Sequence, residues 1–209
     1  VDLSKKRSLI NAYRHENMDN INIHVGNFTD IEPELDTDYD CALLIGVFEY
    51  GQSYIGGDTP FEDFLRIIRK HVKSDGIIAI AIENRYGLKY WAGCREDHLG
   101  TFFSSIECYK DRGLKKIFRA VGENDYTFYY PYPDYKFMTT LYSDRKLPGK
   151  GELNNNMRNY DRDRLKLFDE AAAFDGIVDE GQFPFFSKVN WGVGNIPCNR
   201  TCFTHWINM

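Results

Sequence analysis

The sequence lacks three things: an apolar run long enough to cross a membrane, an excess of positive charge, and a regular spacing of cysteines. A membrane-spanning helix needs about 20 consecutive apolar residues, so we expect no membrane span. The 26 Lys and Arg are outnumbered by 31 Asp and Glu. Nucleic-acid binding needs a clustered positive face, so we expect no nucleic-acid partner. Five irregularly spaced cysteines without a signal-like segment predict free thiols in a reducing cytoplasm, not a disulfide framework.

What the chain does contain is the alternation of buried strands and amphipathic helices that is typical of an α/β domain. An almost unbroken apolar run over 41–48 predicts a strand that is covered on both faces, in the centre of a parallel sheet. Apolar residues recur at helical spacing over 61–72, and residues 76–84 form a second apolar run. Strand, helix and strand in this order predict a right-handed parallel unit.

The other segments follow the same two periodicities. They predict helices over 4–13, 114–121 and 162–174, and strands over 21–25 and 126–130. A length of 209 residues fits one domain. We assign residues 1–187 to this domain and leave 188–209 as a C-terminal tail with no assigned structure.

Polar and small residues follow the predicted strands at the points where each strand ends. In open parallel sheets, ligands bind at the carboxyl ends of the strands, which here are Asp2, 26–28, 46–50 and 83–86. The Asp2 carboxylate can accept two hydrogen bonds from a ribose diol. It can equally stabilise the N-terminus of the following helix, and the residues alone leave both interpretations open.

Several motifs, in a fixed order, carry a resemblance to a known family. They are Val1–Ser4, Ile45–Tyr50, Ile82–Gly93, Glu96–His98, Tyr130–Lys136 and Gly151–Asn156. The chain resembles the class I S-adenosylmethionine-dependent methyltransferases, and within them a bacterial subfamily associated with glycosyltransferase modules. The resemblance spans roughly residues 1–187. It implies an α/β fold with a Rossmann-like, mostly parallel sheet in three α/β/α layers, and an aromatic-rich insertion in the C-terminal half.

The resemblance also implies transfer of a methyl group from S-adenosylmethionine to a small-molecule or saccharide acceptor. Carried over by position, Asp2 would hold the ribose hydroxyls, while Asn27 and Phe28 would flank the adenine. Gly46 and Val47 would line the methionine portion. Glu49 and Tyr50 would lie near the mouth of the pocket.

Methyl transfer needs an aligned acceptor and, for a hydroxyl, a base that takes its proton. His98 is one candidate base, because it follows two carboxylates that would raise its basicity. The same acidic cluster is often only a solvated, hydrogen-bonded turn. Glu83 and Asn84 are placed to position the acceptor. The candidate substrate-binding residues are Arg85, Tyr86, Tyr132 and Tyr135.

The family places a first strand and a Gly-rich turn before the segment that begins at Val1. We therefore expect an incomplete methyltransferase sheet that lacks its first strand, and impaired cofactor affinity. A non-catalytic binding module on a degenerate methyltransferase fold is the alternative, and a nicotinamide-dependent oxidoreductase is less favoured by the later motifs. Cys198, Cys202 and His205 lack a fourth ligand and a CxxC pair, so we expect no metal site.

Overall fold

A computed structural model describes residues 1–107, 113–154 and 162–194 of the chain. The described strands are β1 (Tyr39–Ile45), β2 (Val72–Glu83), β3 (Tyr126–Tyr132), β4 (Thr140–Ser143) and β5 (Val189–Gly194). The described α-helices are α1 (Lys5–Arg14), α2 (Phe28–Ile31), α3 (Gly51–Tyr54), α4 (Pro60–His71), α5 (Leu88–Trp91), α6 (Ser104–Glu107), α7 (Leu114–Ala120), α8 (Glu170–Asp179) and α9 (Phe183–Phe186). Short 3₁₀ helices lie at Glu32–Glu34 and Phe48–Tyr50.

The five strands form one sheet in the order β1-β2-β5-β3-β4, so the chain has a mixed α/β fold. β1 and β2 are parallel, whereas β5 is antiparallel to both β2 and β3, and β4 is antiparallel to β3. The prediction of a mostly parallel sheet is therefore wrong for the described strand pairs. The reason is β5, which enters between β2 and β3 and reverses the direction at both of its edges.

β1 is an edge strand, so the prediction that it is central and covered on both faces is wrong. Among the described residues, no strand pairs with its outer edge. Leu44 is buried, but Leu43 and Ile45 on the opposite face keep 47% and 44% of their surface exposed. The N-terminal segment forms only an isolated parallel bridge between Asp2 and Val25, so the strand predicted over 21–25 is wrong as well.

The main core lies on one face of the sheet. Ile80 of β2 and Phe128 of β3 both pair with Gly192 of β5, so these three positions share that face. Phe118 of α7 packs against them, and a Cβ on Gly192 would come within 2.7 Å of its ring. The aromatic-rich half, predicted as an insertion, thus supplies three strands and a large part of the core.

Two helix predictions illustrate what fixes a helix end. Ser4 caps α1 as predicted, because its hydroxyl accepts a hydrogen bond from the Arg7 amide. The helix predicted over 162–174 is wrong in its first half, since α8 begins only at Glu170. Asp169 caps it by accepting hydrogen bonds from the amides of Ala171 and Ala172.

Candidate functional site

Three strands end at the same edge of the sheet. β1 and β2 are parallel and end at Ile45 and Glu83, and β3 runs in the same direction because β5 is antiparallel to both of its neighbours. Tyr132 at the end of β3 therefore lies at this edge too, which we call the carboxyl edge. The segments after these three strands contain most of the residues predicted to bind cofactor or substrate.

The turn after β1 is shaped by one glycine and one buried aromatic side chain. Gly46 has φ = +62°, a conformation that L-residues with a Cβ rarely adopt. A Cβ there would lie 3.5 Å from the Tyr135 hydroxyl and 3.9 Å from Glu49 Oε1. Phe48 is only 1% exposed and anchors the following 3₁₀ turn in the core. Val47 is exposed beside it.

Glu49 is half-buried at this turn, and its carboxyl group is incompletely hydrogen-bonded. Oε2 is buried and accepts no hydrogen bond from any residue in the described part of the chain. A buried polar atom without a partner costs about 1–3 kcal/mol. Burial raises the pKa of Glu49, with partial opposition from a hydrogen bond of its own backbone amide and from the charges of His98 and Lys136.

His98 contacts the side chain of Tyr50 in the turn after β1. The Tyr50 hydroxyl lies 3.2 Å from His98 Nδ1, and the two rings pack edge to face at 5.2 Å. The neighbouring carboxylates bind other groups. Glu96 accepts a hydrogen bond from the His98 amide at 2.8 Å, and Asp97 joins a separate cluster. Glu96 thus builds the hydrogen-bonded turn that was one of the two interpretations of this motif.

Glu83, at the end of β2, belongs to a buried charge network. The Lys89 side chain is 1% exposed, and its Nζ lies 3.1 Å from Glu83 Oε2 and 2.7 Å from Asp97 Oδ2. Tyr90 Oη lies 2.8 Å and 2.7 Å from the same two oxygens. Arg162 binds the other oxygen of Asp97. We call Glu83, Lys89, Tyr90, Asp97 and Arg162 the lysine network.

The pKa values of the two carboxyl groups of the lysine network shift in opposite directions. Burial raises the pKa of Glu83, and its hydrogen bond with Asp97 raises it further. Burial opposes the charge on Asp97, but hydrogen bonds from Glu83, Lys89 and Tyr90 outweigh it and lower the pKa of Asp97. Asp97 is therefore the stronger acid of the pair, and a proton taken up by the pair binds to Glu83 first. Lys89 is enclosed by protein, since its side chain is only 1% exposed.

The loop after Glu83 is fixed by the segment before β5. The Asn84 amide nitrogen donates to the carbonyls of Phe185 and Ser187, both at 2.7 Å, and its Oδ1 accepts from the Tyr86 amide. Tyr86 stacks on Phe185 at 4.8 Å, and the Arg85 guanidinium lies 4.7 Å from the Tyr86 ring centroid. The side chain of Asn84 therefore holds this loop in place.

Tyr132 and Tyr135, two of the three tyrosines predicted to bind substrate, have different neighbours. Tyr135 lies next to Gly46, and burial raises the pKa of its hydroxyl. Tyr132 packs edge to face against Phe174 of α8. Between them, Asp134 is 1% exposed and forms an ion pair of 2.7 Å with Lys188.

The N-terminal candidates have close partners of their own. Both Asp2 carboxylate oxygens bind the Arg7 guanidinium, at 2.8 and 3.0 Å, and hydrogen bonds from Arg7 and from the Ser4 amide lower the pKa of Asp2. The Asn27 side chain donates to Thr29 Oγ1 at 2.6 Å. Phe28 packs against Phe64 of α4 with 5.3 Å between ring centroids.

A cavity of about 570 Å³ opens beside the carboxyl end of β2. It is lined by Phe48, Glu49, Phe61, Ile82, Glu83, Asn84, Arg85, Tyr86, Gly113, Leu114, Lys115, Lys116, Ile117, Phe128, Tyr130, Gly181, Gln182, Pro184 and Phe185. The position of the strand end predicted the cavity-lining residues at 83–86. The sequence did not predict Lys115, because its position depends on how α7 packs on the sheet.

Among the described residues, no group of three or more His, Cys, Asp or Glu side chains could hold a metal ion. Cys198, Cys202 and His205 lie outside those residues, as do Asn155 and Asn156 of the predicted motif. A search of the same part of the chain for a helix with the length and apolarity of a membrane span finds none.

Comparison of the chain with protein-family models finds no match. Comparisons with curated proteins and with solved structures find no significant match either.

Proposed function

We propose that this chain forms part of an S-adenosylmethionine-dependent methyltransferase that acts on a small-molecule or saccharide acceptor. The observation that supports the proposal is the convergence at the carboxyl edge. Gly46, Glu49 and Tyr50 follow β1, Glu83 ends β2, and His98 meets Tyr50. Ligands of α/β sheets bind outside the carboxyl ends of adjacent parallel strands, and β1 and β2 are such a pair.

The residues after β1 fit the methionine portion of the cofactor. Gly46 has no side chain and a left-handed backbone, which allows a ligand to approach the main chain closely. At the other end of the cofactor, Asp2 fits a ribose diol only if the diol replaces Arg7, which now binds both carboxylate oxygens. The chain's two Gly-x-Gly triplets lie in a loop at 149–151 and inside β5 at 192–194, so neither forms a strand-to-helix turn.

S-Adenosylmethionine would supply an electrophilic methyl group, and the chain's own residues would align the acceptor and take its proton. The candidates for proton transfer are Glu49, which lines the cavity, and His98, which contacts Tyr50 in the turn after β1. Glu83 and Asn84 would act by positioning, because the lysine network and the 185–187 carbonyls already occupy their polar atoms.

Ligand-observed NMR with S-adenosylhomocysteine tests the proposal, since it detects weak as well as tight binding. We expect Gly46→Ala to weaken binding by about tenfold or more, because a Cβ keeps the ligand from the backbone. Gly56→Ala is the matched control. Gly56 has a similar φ of +70° and nothing within 4 Å of its Cβ position, so it carries the same strain without the contact.

A chain that does not bind S-adenosylhomocysteine would overturn the methyltransferase proposal and favour the non-catalytic binding module. The hydrogen bonds of Asp2 with Arg7 and of Asn27 with Thr29 favour this alternative, because these partners already occupy the polar groups predicted to bind cofactor. Association with a glycosyltransferase module belongs to the same proposal and would be tested by co-purification of the two proteins.

A further inference from the structure

The lining of the cavity beside β2 is mainly apolar. Phe48 and Phe128 are almost fully buried beneath it, and Phe61, Ile82 and Ile117 continue the same surface. A volume of about 570 Å³ lies within the range of pockets that enclose small organic ligands. A saccharide carries hydroxyl groups around its whole ring, and such a lining would leave many of them without hydrogen bonds. A planar aromatic ring can pack against this apolar lining without leaving ring hydroxyl groups unpaired.

Glu49 provides the polar contact that such a ligand would need. Its Oε2 is buried and accepts no hydrogen bond from the residues that the structure describes. Glu83, the other carboxyl group of the cavity, already contacts Lys89 and Tyr90. The Glu49 carboxyl group accepts a hydrogen bond from its own backbone amide, and a ligand hydroxyl in the cavity would give it a second donor.

The cavity also has a cationic side. Lys115 Nζ lies 5.2 Å from the centroid of the Phe128 ring, so its ammonium group is held over the aromatic lining. Arg85 lies over Tyr86 in the same lining. An anionic substituent on an aromatic ligand that packs on Phe128 would therefore meet Lys115 at close range.

We propose that this cavity binds a planar, hydroxylated aromatic anion, with its hydroxyl group on Glu49 and its anionic group towards Lys115. Binding of this anion is independent of the proposed function, and only the methyl-transfer step rests on it. In that step, the acceptor oxygen forms a bond to the methyl carbon while the bond from that carbon to the sulfonium sulfur breaks. The hydroxyl proton passes to the Glu49 carboxylate, and S-adenosylhomocysteine leaves as the neutral thioether.

The test measures binding in the absence of cofactor, by calorimetry with the whole chain and three probes. 6-Hydroxy-2-naphthoate carries both groups, 2-naphthoate lacks the hydroxyl, and 2-naphthol lacks the carboxylate. We expect the first to bind about tenfold more tightly than either of the others. Equal affinities for all three, or tighter binding of methyl glucoside, would overturn the proposal.

Three variants assign the contacts. Glu49→Leu should remove the preference for the hydroxyl and leave the affinity for 2-naphthoate, whereas Glu49→Gln, which keeps an acceptor oxygen, should retain part of it. Lys115→Met should remove the preference for the carboxylate. The exposed residues Glu34 and Lys146 supply the controls Glu34→Gln and Lys146→Met, which should bind like the wild type. An unchanged hydroxyl preference in Glu49→Leu would overturn the role of Glu49.

The two proposals can fail separately. Naphthoate binding without S-adenosylhomocysteine binding would retain the aromatic pocket and remove methyl transfer. S-Adenosylhomocysteine binding without any preference among the naphthalene probes would retain the methyltransferase and overturn the pocket.

Discussion

Two carboxyl groups at the ends of adjacent strands have opposite surroundings. Glu83 lies in the lysine network, where a buried ammonium group and a buried tyrosine hydroxyl contact the same oxygen. Glu49 lies on the cavity wall with a buried oxygen that accepts no hydrogen bond within the described ranges. A satisfied buried network fixes one structure, whereas an unsatisfied group is available to a ligand. The first region therefore supports the fold, and the second is the better candidate for chemistry.

The largest expected effect is the removal of the buried cation. Lys89→Met leaves Glu83 and Asp97 without the ammonium group between them, and the loss of one partner from a buried ion pair costs about 3–5 kcal/mol. Urea denaturation would measure this loss in the free energy of unfolding.

Lys136→Met is the matched control for Lys89→Met. The Lys136 side chain is 53% exposed, and its Nζ lies 3.7 Å from Glu83 Oε1. Solvent screens such a pair, so the variant should lose no more than about 0.5–1 kcal/mol. Equal losses in the two lysine variants would show that burial does not distinguish the network from the surface.

A smaller effect is expected from one hydroxyl group. Tyr90→Phe keeps the ring, which is 2% exposed, but removes the oxygen that contacts both Glu83 and Asp97. Leaving buried acceptors without this partner should cost about 1–3 kcal/mol, measured by urea denaturation.

Tyr50→Phe tests the same kind of contact at the exposed turn after β1. Its hydroxyl contacts His98 at 3.2 Å, and both side chains are exposed to solvent. Water can replace that contact, so the free energy of unfolding should change by no more than about 0.5 kcal/mol. A loss as large as that of Tyr90→Phe would mean that the turn after β1 is also part of the folded scaffold.

The sequence predicted which segments lie together where a single rule of sheet geometry determines their positions. The carboxyl ends of parallel strands meet at one edge, which correctly placed 46–50 near Glu83. The lysine network could not be predicted in this way. Lysine is rarely buried, and Lys89 is enclosed only because the chain folds back to bring Asp97 against Glu83.

Strands β1 and β5 show that the burial of a strand depends more on the elements packed around it than on its composition. The apolar run of β1 was interpreted as central, yet Leu43 and Ile45 are exposed because no described strand or helix covers their face. β5 was missed, although it lies inside the sheet. Glycine weakens a strand pattern, and here Gly192 is present because Phe118 packs directly on its Cα.

The smallest effect distinguishes the two carboxyl groups by pH. Burial raises the pKa of Glu49 above its ordinary value of 4.5, so the folded chain binds this proton more tightly than the unfolded chain does. The free energy of unfolding should therefore fall as the pH rises from 4.5 through the folded pKa. Glu49→Gln has no titrating carboxyl group at this position. Its free energy of unfolding relative to that of the wild type should therefore increase over the same pH range. Urea denaturation at several pH values measures the difference, with exposed Glu34→Gln as the control. A difference that stays constant with pH would show that the Glu49 carboxyl group is as well solvated as one on the surface, and that the contrast with Glu83 does not arise from its burial.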